Sequence, residues 1–203
     1  MSRATPILSK ARKTLQDLEL LKVLQSEINH ELSSTPVQTS QSGSLGDFVV
    51  DWDSPGSLDV VLRRKYESGE EVAVSALLGP VRLAEVGDFP SDAFMKVCIK
   101  KPGLSSILQF DCGVFGKGGN VSEFDVHNAY YLKSVACPSP SVYRGPLYST
   151  LDPQLQDTLK EYLETKGIGK NLTSFLLHYL HRKEQGQYVN WLQKLEAFVA
   201  KED

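Results

Sequence analysis

The amino-acid sequence predicts an α+β fold, in which an antiparallel β-sheet is flanked by helices from both ends of the chain. Near the N terminus, apolar residues recur every three or four positions between residues 10 and 32. Short extended runs separated by turn residues follow within residues 47–135, and further helical stretches occupy residues 151–200. A sheet with one apolar face and amphipathic helices to cover it can bury its core in two layers.

The first helix is predicted over residues 10–32 because its apolar side chains form one stripe. The members of this stripe are Leu15, Leu18, Leu21, Leu24, Ile28 and Leu32. Spacings of three and four residues place such side chains on one face of a helix. Residues 33–46 are rich in Ser, Thr, Gln and Gly, so we predict a flexible connection between this helix and the sheet.

Residues 47–135 predict an antiparallel meander of six or seven strands. The extended runs are "DFVVDW", "LDVVLRRKY", "EEVAVSALL", "AFMKVCIKK", "SSILQFDCGVF" and "EFDVHNAYYLK". Turn signals such as "DSPGS" and "ESGE" separate most neighbouring runs at distances typical of hairpins. Alternation of apolar and polar side chains within a run indicates one buried face and one solvated face. The three prolines of residues 136–146 cannot continue a central strand, so the sheet ends before them.

The helix predicted within residues 151–168 carries its own start and stop signals. Asp152 can cap the helix N terminus, and Pro153 suits the first helical position. Gly167 permits a left-handed stop, after which Ile168 can pack back against the helix. These signals predict a short helix with defined ends immediately after the sheet.

The apolar stripes at the two ends of the chain are larger than one subunit needs. Helical spacing continues from Asn171 to Val199, and Gly186 either breaks or merely weakens that last helix. We predict that the N-terminal helix pairs with the terminal helix, in the same or a neighbouring subunit, by coiled-coil packing, and that the chain oligomerises. The predicted interface residues are Leu21, Leu24, Ile28, Leu32, Tyr188, Leu192, Leu195 and Val199.

Composition limits the class of protein. The 203 residues fit a single domain. The 22 basic and 25 acidic residues give a net charge of −3, which argues against a dedicated nucleic-acid-binding surface. No run of about 18 apolar residues exists, so we expect no membrane span. Before Asp17 the composition fits a mitochondrial presequence or its remnant, and it equally fits a solvated basic start to a helix.

Catalytic and metal-binding signals are weak. "GVFGKGGN", residues 113–120, lacks the spacing and the final Ser or Thr of a phosphate-binding loop, so a hairpin tip is favoured. His178 and His181 lie one helical turn apart, but no third metal ligand accompanies them. Three widely spaced cysteines form neither a Cys-x-x-Cys pair nor a nucleophile signature. We therefore expect a protein that is not an enzyme and has no catalytic, cofactor or metal site.

The C-terminal quarter resembles the mitochondrial acidic matrix protein family, also called the mitochondrial glycoprotein family. The matching features are the Leu-Asp-Pro opening at residues 151–153, "YLETKGI" at residues 162–168, and the run from Lys183 to "YVNWLQKLEAF". The N-terminal "LLKVLQSEINHEL" and the sheet segment "LQFDCGVF" match more loosely, so the resemblance extends over nearly the whole chain.

This resemblance implies a fold, an assembly and a location. It implies a seven-stranded twisted antiparallel sheet flanked by N- and C-terminal helices, within a single domain over residues 1–203. It also implies a ring-shaped homotrimer in the mitochondrial matrix. One departure is the charge: the family is usually strongly acidic with long acidic loops, whereas the loops near residues 87–92 and 116–123 are short here. A strongly negative ring face is therefore not expected from this sequence.

The function implied by the resemblance is that of a non-enzymatic adaptor or chaperone-like protein. Such a protein supports mitochondrial gene expression and oxidative phosphorylation by binding mitochondrial proteins, including ribosomal or RNA-binding ones. The alternative is an accessory factor in mitochondrial RNA processing or editing that contacts RNA directly or through RNA-binding proteins. A third class, an enzyme or small-ligand carrier that uses the sheet as a cup, has no convergent polar residues to support it.

Overall fold

The structure, a computed structural model, describes residues 4–33, 43–79, 92–117, 121–134 and 143–200, with side chains from residue 15 onward. The helices and strands are α1 (Ala4–Ser33), β1 (Val49–Asp53), β2 (Val60–Lys65), β3 (Glu71–Leu78), β4 (Ala93–Lys100), β5 (Ile107–Gly116), β6 (Ser122–Leu132), a 3-10 turn (Tyr148–Thr150), α2 (Pro153–Thr165) and α3 (Lys170–Val199). Each of the six predicted runs overlaps one of these strands and agrees with its ends to within a few residues. Helix α3 continues through Gly186 without a break.

Some predicted segments lie outside the described residues. They are residues 34–42 of the predicted connection, residues 80–91 and 118–120 in the predicted short loops, and most of the proline-containing segment, residues 135–142.

The chain divides into two compact units. The first comprises residues 1–38 and 182–203, and the second comprises residues 39–181. The boundary falls within helix α3, so the first unit holds α1 and the last part of α3, and the second holds the sheet, α2 and the start of α3.

The second unit is built on one antiparallel sheet. Its six described strands lie in sequence order, and every strand pairs with the next one along the chain. The register shifts between Val50 and Trp52 in the β1–β2 pair and between Asp111 and Cys112 in the β5–β6 pair. The seventh strand implied by the family resemblance is not among these described strands.

One face of the sheet carries the hydrophobic core. In β3 and β4 alternate residues are buried, as the period of two in a strand requires. The helix side chains that belong to the same core come from α2 and from the start of α3. The buried members of this core from the helices and their junction are Leu163, Ile168, Leu172, Leu176, Leu177 and Leu180. Two-layer packing is therefore present in this unit through α2 and the start of α3, whereas no described residue of α1 belongs to this core, contrary to the expectation that helices from both ends of the chain cover the sheet.

Three hydroxyl groups are buried where β6 meets the start of α3. The Oγ atom of Ser122 lies 2.6 Å from Oγ1 of Thr173 and 2.9 Å from Oγ of Ser174. The backbone N–H of Ser122 also donates to Oγ of Ser174 at 3.2 Å. The cluster is stable inside an apolar core because each hydroxyl has a hydrogen-bond partner.

Helix α2 begins and ends as its sequence predicts. The carboxylate of Asp152 accepts hydrogen bonds from the backbone N–H groups of Gln154 at 2.9 Å and Leu155 at 3.4 Å. At the other end Gly167 has a φ of 85°, and the N–H of Ile168 donates to the carbonyl of Leu163 at 3.1 Å. A side chain at residue 167 would meet Arg64, since a Cβ atom there would lie 2.8 Å from the Arg64 Nη1 atom. Glycine is therefore required at this stop.

A largely buried ion pair connects the end of α2 to the turn between β2 and β3. The Lys166 Nζ atom lies 2.5 Å from Oε1 of Glu70, and these side chains are only 19% and 10% exposed. The hydroxyl of Tyr66 donates to the carbonyl of Lys166 at 3.1 Å, and the Lys166 ammonium lies 5.2 Å from the Tyr66 ring centroid. The hydrogen bond to Glu70 is the main reason why the pKa of Lys166 is raised above its ordinary value of 10.5. The "YLETKGI" segment is thus an architectural junction.

The start of α3 is also fixed to the edge strand β1. The hydroxyl of Tyr179 donates a hydrogen bond to the Asp53 carboxylate. This hydrogen bond, together with burial, raises the pKa of Tyr179 to about 12. Tyr179 also stacks on Phe175, with ring centroids 5.6 Å apart. The side chains of strand β1 are all exposed. The hydrogen bond between Tyr179 and Asp53 therefore connects this edge strand to α3.

Candidate protein-protein interface

In the first unit, α1 and the last part of α3 pack as an antiparallel helix pair. Three polar contacts between the two helices fix their direction, because the residue number rises along one helix as it falls along the other. These contacts join Gln25 to Glu196 at 3.0 Å, Tyr188 to Glu27 at 3.1 Å and Gln185 to Glu31 at 3.5 Å. The pairing of the two terminal helices that the apolar spacing predicted is therefore present within a single chain.

The structure brings five of the eight predicted interface residues together. Leu24, Ile28 and Leu192 are buried against one another, and Leu195 and Val199 pack against them while partly exposed. Of the remaining three residues, Leu21 is half-buried, Tyr188 lies at the edge of the pair and Leu32 is exposed. The five residues that lie together hold the helix pair together. The assignment of all eight residues to an interface between subunits remains a prediction.

A second set of apolar side chains on this helix pair is exposed. Val23, Trp191 and Phe198 are 65%, 53% and 79% exposed, and Leu20 is also exposed. Tyr188 stacks on Trp191 with ring centroids 6.0 Å apart and an angle of 20° between the ring planes. These five side chains, Leu20, Val23, Tyr188, Trp191 and Phe198, are called the helix-pair patch below.

The members of the helix-pair patch lie on one side of the two helices. Tyr188, Trp191 and Phe198 follow one another at helical spacing, so they share one side of α3. Tyr188 contacts Glu27, and Val23 and Leu20 lie one and two turns before Glu27 on the same side of α1. Because the helices are antiparallel, the two rows run side by side.

Sequence reasoning identified only part of this patch. Trp191 and Phe198 belong to the apolar spacing of the last helix, whereas Leu20 and Val23 fall outside the main stripe of the first helix. The spacing of Leu20, Val23 and Glu27 could have indicated that these residues share one side of the first helix. The charge of Glu27, however, interrupts the apolar row. An exposed apolar cluster with several aromatic side chains is typical of a protein-binding surface.

The structure places several of the residues that were considered for metal binding or catalysis. Within the described part of the chain, no group of three His, Cys, Asp or Glu side chains could hold a metal ion. The Nδ1 atom of His178 lies 2.8 Å from the carbonyl oxygen of Ser174 in its own helix, while His181 is exposed. Burial raises the pKa of Cys112 to about 12, so its thiol is not a nucleophile at neutral pH. Residues 113–116 of the glycine-containing segment belong to strand β5, and Cys137 lies outside the described residues.

Several acidic side chains in the second unit form ion pairs with basic ones. Arg63 lies between Asp51 and Glu71, with nitrogen to oxygen distances of 2.7 and 3.4 Å. Glu123 contacts both Lys117 and Lys170, at 2.5 and 3.6 Å. This pairing agrees with the nearly balanced composition. Among the described helices, none has a stretch long and apolar enough to cross a bilayer.

The fold and its exposed surface define a class: an α+β protein whose antiparallel meander is flanked by terminal helices, with an apolar surface on a helix pair. The particular family follows from comparison with known sequences. The chain belongs to the mitochondrial glycoprotein family, because the family model named MAM33 matches residues 85–199, more than half of the chain. The family is a mitochondrial one.

Two curated relatives illustrate this membership. The mitochondrial acidic protein mam33 of Schizosaccharomyces pombe is 33% identical over 111 residues, which cover 50% of this chain and 39% of that protein. The chain therefore matches well under two thirds of that relative's length. An uncharacterized mitochondrial protein of Arabidopsis thaliana is 26% identical over 210 residues, which cover 98% of this chain and 81% of that protein.

Two solved structures have the same fold. A Leishmania major protein described as a sequence homologue of human p32 superimposes with a TM-score of 0.71 at 21% identity, covering 91% of this chain and 99% of that one. The Trypanosoma brucei p22 protein superimposes with a TM-score of 0.68 at 18% identity, covering 92% of this chain and 100% of that one. At these identities the likeness shows the fold alone.

Proposed function

We propose that this chain forms a ring-shaped homotrimer in the mitochondrial matrix and acts there as a non-enzymatic adaptor or chaperone-like protein. In this proposal it binds mitochondrial proteins and thereby supports gene expression and oxidative phosphorylation. Membership of a mitochondrial family supports the location. The single domain over residues 1–203 and a seventh strand belong to the same proposal.

The observation that carries this proposal is the helix-pair patch. Its five large side chains are exposed although the same two helices bury Leu24, Ile28 and Leu192 between them. Complete burial of one such side chain contributes about 1.5–3 kcal/mol, so covering the patch can drive association of subunits or partners. Trp is among the residues that most often dominate protein-protein affinity, and Phe is enriched in the cores of interfaces, so Trp191 and Phe198 are suitable anchors.

The oligomeric state tests the proposal directly. We expect sedimentation equilibrium of the full chain to give the mass of a trimer. The variant with Trp191→Ser and Phe198→Ser should associate at least about a hundredfold more weakly, since about 3 kcal/mol of apolar burial is lost. Tyr143→Ser is the matched control, because it removes an exposed aromatic side chain from the second unit and should leave the mass unchanged.

Two outcomes would contradict these assignments. A wild-type chain that stays monomeric at all accessible concentrations would refute the trimer. A double variant that still forms trimers as tightly as the wild type would show that the patch does not hold the subunits together. Circular dichroism of each variant establishes that the helices are intact.

The binding partners require a separate experiment. We expect crosslinking of the tagged full chain in intact mitochondria to capture protein partners through surfaces that remain free in the trimer. The alternative role in RNA processing predicts an electrophoretic shift of RNA by the pure protein that weakens with added salt. The absence of an RNA shift at low salt, together with captured proteins, would favour the adaptor over direct RNA binding.

A further inference from the structure

A cavity lies in the second unit between the sheet and helix α2. Its floor is a row of three side chains from adjacent strands, because Ile99 of β4 pairs with Leu108 of β5, which pairs with Tyr131 of β6. Directly paired residues on neighbouring strands point to the same face of a sheet, so these side chains form a continuous surface.

Helix α2 and the turn between β4 and β5 complete the cavity. Leu159 and Tyr162 line it from the helix, three residues apart and therefore on one helical face. Leu104 and Ser106 line it from the turn. The volume is about 500 Å³, which lies within the range of about 300–1,000 Å³ that is usual for small-molecule sites.

The cavity lies at the margin of the core, where the apolar floor reaches the surface. Ile99 is buried in the core, whereas Tyr131 at the other end of the floor is 58% exposed. The apolar row therefore passes from the interior to the surface, and the cavity opens to solvent beside Tyr131 and the exposed Leu104. A ligand can enter there without unfolding the sheet.

The lining of the cavity is mostly apolar, and its charge is positive. Among the described residues that line the cavity, Lys101 is the one charged residue, and none of them carries a carboxylate. The ion pairs found among the described residues do not include Lys101. The hydroxyl of Thr158, which also lines the cavity, already donates to the carbonyl of Gln154 at 2.8 Å. An apolar volume with one cation at its margin is complementary to a ligand with an apolar chain and one anionic end.

We propose that this cavity binds a small aliphatic monocarboxylate, with its chain over Ile99 and Leu108 and its carboxylate at the Lys101 ammonium. The chain contributes most of the affinity, because it removes apolar surface on both sides from water. The ion pair fixes the direction of the ligand and contributes less, because Lys101 is exposed. The residues of this site belong to the second unit, whereas those of the helix-pair patch belong to the first.

Isothermal titration calorimetry of the full chain with hexanoate, heptanoate and octanoate, below the concentrations at which they form micelles, tests the proposal. We expect saturable binding that tightens about fourfold for each added methylene group until the cavity is filled. Octanol should bind about two- to fivefold more weakly than octanoate, because it lacks the charge that Lys101 recognises.

Variants separate the two parts of the site. Lys101→Gln should weaken octanoate by the same two- to fivefold and leave octanol unchanged. Lys100→Gln is the matched control, since Lys100 is an exposed lysine one residue away that does not line the cavity, and it should change neither affinity. Ser106→Phe fills the cavity from the turn and should reduce the binding of every chain length at least tenfold.

Specific results would overturn the proposal. Failure of all three carboxylates to bind, or affinities that do not depend on chain length, would exclude the cavity as a site for an aliphatic chain. Equal losses of affinity in Lys101→Gln and Lys100→Gln would exclude recognition of the carboxylate by Lys101. Octanoate binding that survives Ser106→Phe unchanged would place the ligand elsewhere on the chain.

Discussion

The ion pair between Lys166 and Glu70 predicts a large and asymmetric response to mutation. At 2.5 Å, with an effective dielectric constant of about 20, the attraction between the two charges is about 7 kcal/mol. Removing each charge from water costs several kcal/mol, so the net contribution of the intact pair is small. Removing only one partner is different, because the other charge then remains in a site where its side chain is largely buried.

We expect Lys166→Met to lower the free energy of unfolding by about 3 kcal/mol at neutral pH. The double variant with Glu70→Gln and Lys166→Met should recover most of this loss, since neither charge then remains. Urea unfolding followed by circular dichroism at a fixed protein concentration measures both values. Lys160→Met is the control on the same helix, because its pair with Asp125 is more exposed and should be worth less than about 1 kcal/mol.

The pH dependence of this ion pair follows from the pKa of Lys166, which is raised in the folded chain. Its contribution to stability is therefore complete below the ordinary lysine value of 10.5 and is lost as the pH rises through the folded value. The difference in stability between wild type and Lys166→Met should therefore become smaller above that pH. A loss below about 0.5 kcal/mol for Lys166→Met at neutral pH, or no recovery in the double variant, would refute this reasoning.

Two further predictions concern glycine and the helix pair. Gly186→Ala should raise the free energy of unfolding by about 1 kcal/mol, measured by urea unfolding, because Gly186 lies inside α3 and no atom lies near the position of its Cβ. Gly167→Ala should lower the free energy of unfolding by at least that amount, because alanine would have to adopt a positive φ and its Cβ would meet Arg64. Leu192→Ala should lower the stability of the helix pair by about 2–4 kcal/mol, because it leaves a cavity beside Leu24. Faster amide hydrogen exchange in α1 would detect this loss of stability, and an unchanged exchange rate would contradict the packing of Leu192 against Leu24.

Much of the fold could be predicted from local sequence pattern. The six extended runs each overlap a strand, because alternation with a period of two is visible within a few residues. The ends of α2 could also be predicted, since Asp152, Pro153 and Gly167 each determine the backbone conformation of residues within one helical turn. Local chemistry of this kind does not depend on distant parts of the chain.

Features made by distant residues could not be predicted in the same way. Glu70 and Lys166 are far apart in the sequence, and neither lies in a pattern that indicates its partner. The cavity beneath α2 depends on where the core stops being filled, which no single segment encodes. The helical spacing predicted a stripe containing Leu24, Ile28 and Leu192, but spacing alone cannot tell whether the same chain or another copy covers it.

The hydroxyl cluster of Ser122, Thr173 and Ser174 has a consequence for the uniqueness of the folded state. Apolar contacts between a helix and a sheet tolerate sliding, because one methyl group can replace another at little cost. Hydroxyl groups tolerate it less well, since a shift of α3 by one turn would separate the hydroxyl and N–H of Ser122 from Thr173 and Ser174 in a buried site. These small side chains thus favour one position of α3 on the sheet over shifted positions that would bury a similar apolar area.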